Sequence, residues 1–319
     1  MDFISALIIF LNAGFLSAIV ARFTGANMTI LILCSLLYAG AAPLEAAGIM
    51  MTFIVFMRLT MYTQHHPVNY KEFQIFRGWR LAIPVVLILA GLFFYPFAAL
   101  AIFLAFFISE LLYRIYHEMP KERRMAPSAL AGYAAVASVI TAVSFAVVSF
   151  IPETWYYGIA GTAILLLCVF FWWVGQNRRR LAGAWDTVIL ASFIPAGLFG
   201  FDLSDWIEDM RRSTGTSRLA YNLPFIVLPA FFVGFVAANV LFGIFSFSGL
   251  ILTFFAALAI RLFGYYQMSG RGKTNLVAIA MTALAAVCLF LTAPEPANIS
   301  HAIDVVLPAQ PVSDLFQLF

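Results

Sequence analysis

Apolar residues in this chain neither alternate as in a half-buried strand nor line one face of amphipathic helices. They come in long runs divided by short polar punctuation. Ten strong runs fall at 3–22, 28–41, 44–63, 80–96, 97–116, 130–150, 155–175, 184–201, 223–242 and 244–265, and an eleventh at 275–293. Crossing the hydrocarbon of a bilayer takes about 20 helical residues, so the second run is too short to span alone and predicts a re-entrant or broken helix. A transmembrane barrel would need alternating segments of about ten residues, and the Leu, Ala, Phe and Ile blocks do not alternate. The pattern predicts an all-α, polytopic integral membrane protein with about 9–11 membrane segments.

Composition points the same way. Hydrophobic residues make up 63% of the 319 and charged ones 10%, with a mean hydropathy of +0.96. A soluble domain carries about 25% charged residues. The net charge of +3 matters less than its placement. Basic residues cluster between runs, as Lys71, Arg77 and Arg80; Arg114, Lys121, Arg123 and Arg124; Arg178, Arg179 and Arg180; and Arg271 and Lys273. These loops are expected on the cytoplasmic face. The tail from Pro294, with Glu295 and Asp304 and no Lys or Arg, is expected opposite. Counting every run from 184 to 265 as a crossing conflicts with this, because it separates the Arg178 loop from the Arg271 loop. Either one segment is re-entrant or 202–222 lies elsewhere. That linker, DLSDWIEDMRRSTGTSR and onward, reads as an amphipathic interfacial helix around Trp206. Residues 3–22 follow Asp2 rather than a basic leader and read as a retained first helix.

An internal self-match divides the chain. Arg-Leu-x-x-Tyr-x-Gln occurs at 58–64 and again at 261–267, each time at the end of an apolar run before a basic loop. Upstream, GFLSA at 14–18 answers GFVAA at 234–238, and TGANMTILIL at 24–33 answers SFSGLIL at 246–252. The division expected is a first membrane half at 1–129 carrying repeat 1, central helices at 130–201, the interfacial linker at 202–222, repeat 2 at 223–294 and an extramembrane tail at 295–319. Repeats are common in transporters, where interrupted helices meet near mid-membrane and their exposed backbone groups suit an ion. The candidate breaks are Thr24, Gly25, Ala26 and Asn27, and Ser246, Phe247, Ser248 and Gly249. The competing reading is an ordinary helix connection with caps.

The stretch from Leu11 to Phe73, with AGFLSAIVARFTGANMTILIL, YAGAAPLEAAG and MRLTMYTQHHPVNYKEF, resembles the first repeat of the TauE/SafE sulfite-exporter family of anion transporters. The resemblance places Gly25 and Asn27 at that family's Gly-rich break, Ala46 and Gly48 at its Ala-rich helix start, and Pro67 to Tyr70 at its short exit. Only Gly25 remains of the usual Gly cluster, and the second copy matches more loosely. It implies transport of a sulfur oxoanion or organosulfonate.

Among single residues, Arg58 and Arg261 lie inside the ends of their runs, where a guanidinium either snorkels to the interface or lines an anion path. Gln64 and Gln267 close the same motifs. Few acids share those segments, which favours a positive lining. Glu110 and Arg114 are spaced to pair along one helix. Glu45 reads as a first-turn acid on a helix dipole, with Asp186 similar. Cys34, Cys168 and Cys288 read as small apolar packing residues. His65, His66, His117 and His301 have no metal-ligand spacing, so neither metal nor cofactor is expected. The Trp and Tyr residues at 154–157 and 172–173 read as interfacial belts.

These features lead to a secondary transporter or exporter of a small anion. The alternatives are a non-catalytic membrane subunit or scaffold, and a lipid-modifying membrane enzyme, which would need carboxylates or His converging at one interface. No nucleotide-binding loop and no intramembrane-protease motif occurs, so the chain is not expected to be an enzyme. Membrane lipids and a small anionic substrate are the expected partners, with no nucleic acid. Homo-oligomers are compatible with such a chain, and the expected location is the bacterial inner (plasma) membrane.

Overall fold

The computed structural model describes residues 3–68, 73–176, 184–208, 218–243, 247–264 and 276–292. Every regular element there is helical. Helix α1 covers 3–24 and contains a π-helical turn at Asn12–Leu16. It is followed by α2 (Met28–Tyr38), α3 (Pro43–His65), α4 (Ala82–Phe94), α5 (Pro96–Glu118), α6 (Pro127–Val148) and α7 (Glu153–Gln176). Next come α8 (Trp185–Phe199), α9 (Pro224–Phe242), α10 (Phe247–Phe263) and α11 (Leu276–Thr292). Six apolar helices among the described residues are long enough to cross a bilayer, and five shorter ones accompany them. The protein is a polytopic helical membrane protein.

Local sequence explains the boundaries. Proline occupies the first turn of α3, α5, α6 and α9, where its missing N–H would have no helical partner. Inside α8, Pro195 cannot donate to the Ala191 carbonyl, and the helix is re-registered at Ser192. Large apolar side chains such as Phe93, Phe150, Trp79 and Leu166 are exposed on the outside of the bundle. Lipid accepts that surface and water does not.

Inside, small residues let helices approach. A Cβ added to Gly14 would lie 2.9 Å from the Leu252 carbonyl oxygen, and one added to Gly249 would lie 2.6 Å from Thr52 Cβ. Gly14 and Gly249 thus join α1 and α3 to α10, the helices that carry the repeated motifs. Cys34 and Cys168 pack in the interior, whereas Cys288 is on the outer face of α11.

The contacts also order the two ends of the bundle. At one end the His66 imidazole pairs with Glu118, and Arg123 lies over the Tyr221 ring at 4.8 Å while its carbonyl accepts from Asn222 Nδ2. This is the basic end. Opposite it, Tyr157 donates to the Ala41 carbonyl and Tyr156 to that of Leu198. Helix α8 begins beside Tyr133, near the start of α6, and carries Gly197 to Thr141, about 21 Å along α6 at 1.5 Å per residue. The chain then reverses at Gly200. Asp202 meets Arg58, Trp206 meets Phe171 far along α7, and Asn222 reaches Arg123. Segment 185–222 therefore enters and leaves at the basic end.

That hairpin removes the orientation conflict. Helix α7 ends, and α8 begins, at the basic end; α10 runs alongside α1 to the same end, where Arg22 Nε donates to the Phe263 carbonyl. Helix α11 then runs antiparallel to α7, with Ile279 beside Cys168 and Phe290 beside Gly161. Arg178, Arg179, Arg180, Arg271 and Lys273 lie outside the described residues, but the helices flanking them share the basic end. Much of the described linker is instead interior, with Asp202, Leu203, Trp206, Ile207 and Asn222 buried, while Arg218 is exposed. Asp202 and Asp205 fold back onto Arg58 of α3, so 202–208 does not lie as an amphipathic surface helix.

On a cysteine-free background, single cysteines at Ala184, Arg218 and Lys121 are expected to label from one side of the membrane. Cysteines at Phe150 and Gly243 should label from the other. Labelling of positions 184 and 218 from opposite sides would show that 185–222 crosses.

Candidate functional site

The first interruption forms as a hydrogen-bonded turn. Gly25 ends α1 in the left-handed region, at φ 77°, with its N–H donating to Ala21 O. Asn27 caps α2 by accepting from the Ile30 N–H through Oδ1, and its Nδ2 donates to the Asp202 carbonyl at 2.8 Å. Thr29 donates to Asn27 Oδ1 at 2.7 Å and accepts the Asp202 N–H at 2.9 Å. Trp206 Nε1 donates to the Gly25 carbonyl at 3.4 Å. Backbone exposed by the break in α1–α2 is thereby tied to backbone exposed by the reversal at 200–204. Unwound segments at membrane depth are tolerated only with such internal partners.

Arg58 sits beneath this latch, seven residues before the end of α3 and so about 10 Å inside it. Its Nε donates to Asp202 Oδ2, and its Nη1 donates to Asp205 Oδ1 at 2.8 Å. Asp202 Oδ1 accepts from the Ser204 N–H at 3.0 Å and from its hydroxyl at 2.5 Å. The Arg58 and Asp202 side chains are 8% and 3% exposed, against 36% for Asp205. Asn27, Met28, Thr29, Phe53, Met57 and Met61 join these charges around a cavity of about 20 Å³. One water needs about 10–15 Å³ on this scale, so the cavity admits a water but no oxoanion in this conformation. Among the described residues, no three His, Cys, Asp or Glu side chains converge to hold a metal ion.

The other sequence candidates lie elsewhere. Thr24, half-buried, donates to Val20 O, and its hydroxyl accepts from the Ala26 N–H. Gln64 and Arg261 are exposed. Ser246 and Gln267 lie outside the described residues. Phe247, Ser248 and Gly249 form the first turn of α10, following the left-handed cap of α9 at Gly243. Ser248 is fully buried and Gly249 faces α3. The two break motifs do not meet, because the first abuts the 200–205 reversal and the second joins consecutive antiparallel helices at the far end. The repeated Arg-Leu motifs likewise occupy unlike settings, one buried against carboxylates and one exposed.

Three smaller expectations are corrected. Glu110 does not pair with Arg114; it is buried and accepts the backbone N–H groups of Gln74 and Ile75, pinning the loop after α3, while Arg114 donates to Glu118 at 2.9 Å. Of the expected aromatic belt, Trp155, Trp172 and Trp173 are exposed, whereas Tyr156 and Tyr157 are interior hydrogen-bond donors. The lack of acids near Arg58 in sequence does not leave it a positive lining, because its counter-ions come from 144 and 147 positions away. Asp202 and Asp205 were legible only through the requirement that a buried guanidinium find a counter-ion.

No protein-family model, curated protein or solved structure matches the chain.

Proposed function

We propose that the protein is a secondary transporter of a small anion and that Arg58, with Asp202 and Asp205, marks its substrate site. The observation that carries this reading is a charged, hydrogen-bonded cluster held inside the bundle where a broken helix meets a re-entrant reversal. Such junctions suit ion passage, because unwound backbone and ionisable groups are expensive at that depth and are kept where they act on a solute. The anion, and a sulfur oxoanion or organosulfonate in particular, follows from the planar donor set of Arg58 and from the sulfite-exporter resemblance of residues 11–73. The small cavity then corresponds to a closed state.

A second reading has its own support. Arg58 is already neutralised, so the cluster also suits a structural lock in a non-catalytic membrane subunit. Lipid modification fits less well, since the carboxylates meet in a space far too small for a lipid headgroup.

Proteoliposomes loaded with sulfite, sulfate, methanesulfonate, nitrate or chloride separate these readings. The transporter reading expects flux of at least one anion above protein-free vesicles. It also expects a loss of about tenfold or more in Arg58→Lys, which keeps the charge but loses the fork. Arg261→Gln should retain its flux. Absence of flux for every anion would favour the structural lock.

A further inference from the structure

We infer that the start of α4 is a docking site for an anionic phospholipid, with Arg77 and Arg80 holding the phosphate and Trp79 marking the membrane boundary. This site is independent of the transporter reading. Helix α4 and the 3-10 turn before it, Gly78–Leu81, form a hairpin with α5. The two helices touch where a Cβ on Gly91 would lie 2.8 Å from the Ala99 nitrogen. Turn and helix together cover Gly78–Phe93, about 24 Å at 1.5 Å per residue, against roughly 30 Å of hydrocarbon. A hairpin whose bend lies at one boundary therefore places Arg77 and Arg80 close to the other. Glu110 fixes this level: its carboxylate accepts the Gln74 and Ile75 N–H groups, about 12 Å before the end of α5 at Glu118. A guanidinium at that depth reaches a lipid phosphate by snorkelling.

The two charges are uncommitted. Arg77 and Arg80 are exposed, and their side chains form no ion pair or hydrogen bond among the described residues. Elsewhere at the basic end Arg114 donates to Glu118, Arg123 covers the Tyr221 ring, and Arg124 donates to the Met119 and His117 carbonyls. No Asp or Glu occurs from 73 to 109, and Glu110, the next acid, is turned to the loop backbone. Three positions of a 3-10 turn rise about 6 Å, a span that two guanidiniums can close around one phosphate. Further along, Trp79, Ile83, Val86 and Phe93 are all exposed and recur at helical spacing, so they form one apolar stripe on α4. The stripe runs inward from the boundary as an acyl chain does, with Trp79 at its head in the place of an interfacial anchor. An anionic lipid satisfies both parts, because its phosphodiester neutralises the arginines without bringing an ammonium group beside them, as phosphatidylcholine would.

The test supplies full-length protein in detergent with equal amounts of phosphatidylglycerol and phosphatidylcholine and counts the lipid retained by native mass spectrometry. Wild type should keep phosphatidylglycerol over phosphatidylcholine by roughly tenfold or more, since each cation near an anionic headgroup contributes about fivefold. In Arg77→Gln/Arg80→Gln that preference should fall by roughly tenfold. Lys121→Gln/Arg218→Gln removes as much charge from exposed positions at the same end and should leave the preference unchanged. Equal retention of the two lipids by wild type, an undiminished preference in Arg77→Gln/Arg80→Gln, or an equal loss in Lys121→Gln/Arg218→Gln would overturn the site. So would release of the bound lipid by excess glycerol 3-phosphate, because a free phosphate ester would then suffice as ligand.

Discussion

Arg58→Gln is expected to lower stability by about 3–5 kcal/mol, because it strands a buried carboxylate rather than merely deleting a favourable contact. Asp202 is 3% exposed and keeps only Ser204 as a side-chain donor once the guanidinium is gone. The double variant Arg58→Gln/Asp202→Asn removes both charges, and much of the loss should return. Denaturant titration of the purified protein, followed by Trp206 fluorescence, measures both. Similar losses in single and double variants would mean that the pair is not the source. This expectation reverses the one that sequence alone supports, in which Arg58 is a lining residue whose removal spares the fold. The counter-ions change the sign of the argument: a lining arginine can be dispensed with, and a buried pair cannot lose one member cheaply.

Gly200→Ala should cost about 2–5 kcal/mol, combining a left-handed backbone penalty of about 1–2 kcal/mol with overpacking of about 1–3 kcal/mol. Gly200 has φ +68°, and a Cβ there would fall 2.3 Å from Met50 Cβ on a fully buried stretch of α3. The reversal that brings Asp202 to Arg58 cannot shift to relieve the clash, because Asn27 and Thr29 hold the next peptide. Loss of thermal stability in this variant, set against Gly132→Ala on an open face of α6, isolates the effect. Equal melting of the two variants would show that the turn tolerates a side chain.

Helix number and type were legible because apolar run length is a one-dimensional quantity set by bilayer thickness. The break at Gly25 to Asn27 was legible too, since Gly and a capping Asn between apolar helices have few other uses. Segment 185–222 was not. Residues 184–201 are apolar enough to count as a crossing, and nothing local marks that they turn back. The conflict over the basic loops was the available sign, and it offered a re-entrant segment without saying which one. The Arg-Leu-x-x-Tyr-x-Gln match was real as sequence, yet α1 runs toward the basic end and α9, with the matching GFVAA, away from it. The half-length helix α2 supplies the extra reversal, which is why one repeated arginine is buried and the other exposed.

The reversal at Gly200 also bears on how the chain acquires its sidedness. An insertion machinery that reads hydrophobicity segment by segment would send α8 across and leave Asp202 and its neighbours on the far face. What returns them is the need of that backbone for partners, and the partners belong to α1, α2 and α3, which are made first. The orientation of α9, α10 and α11 is therefore tied to contacts with the beginning of the chain, and it agrees with the Arg271 and Lys273 cluster between α10 and α11.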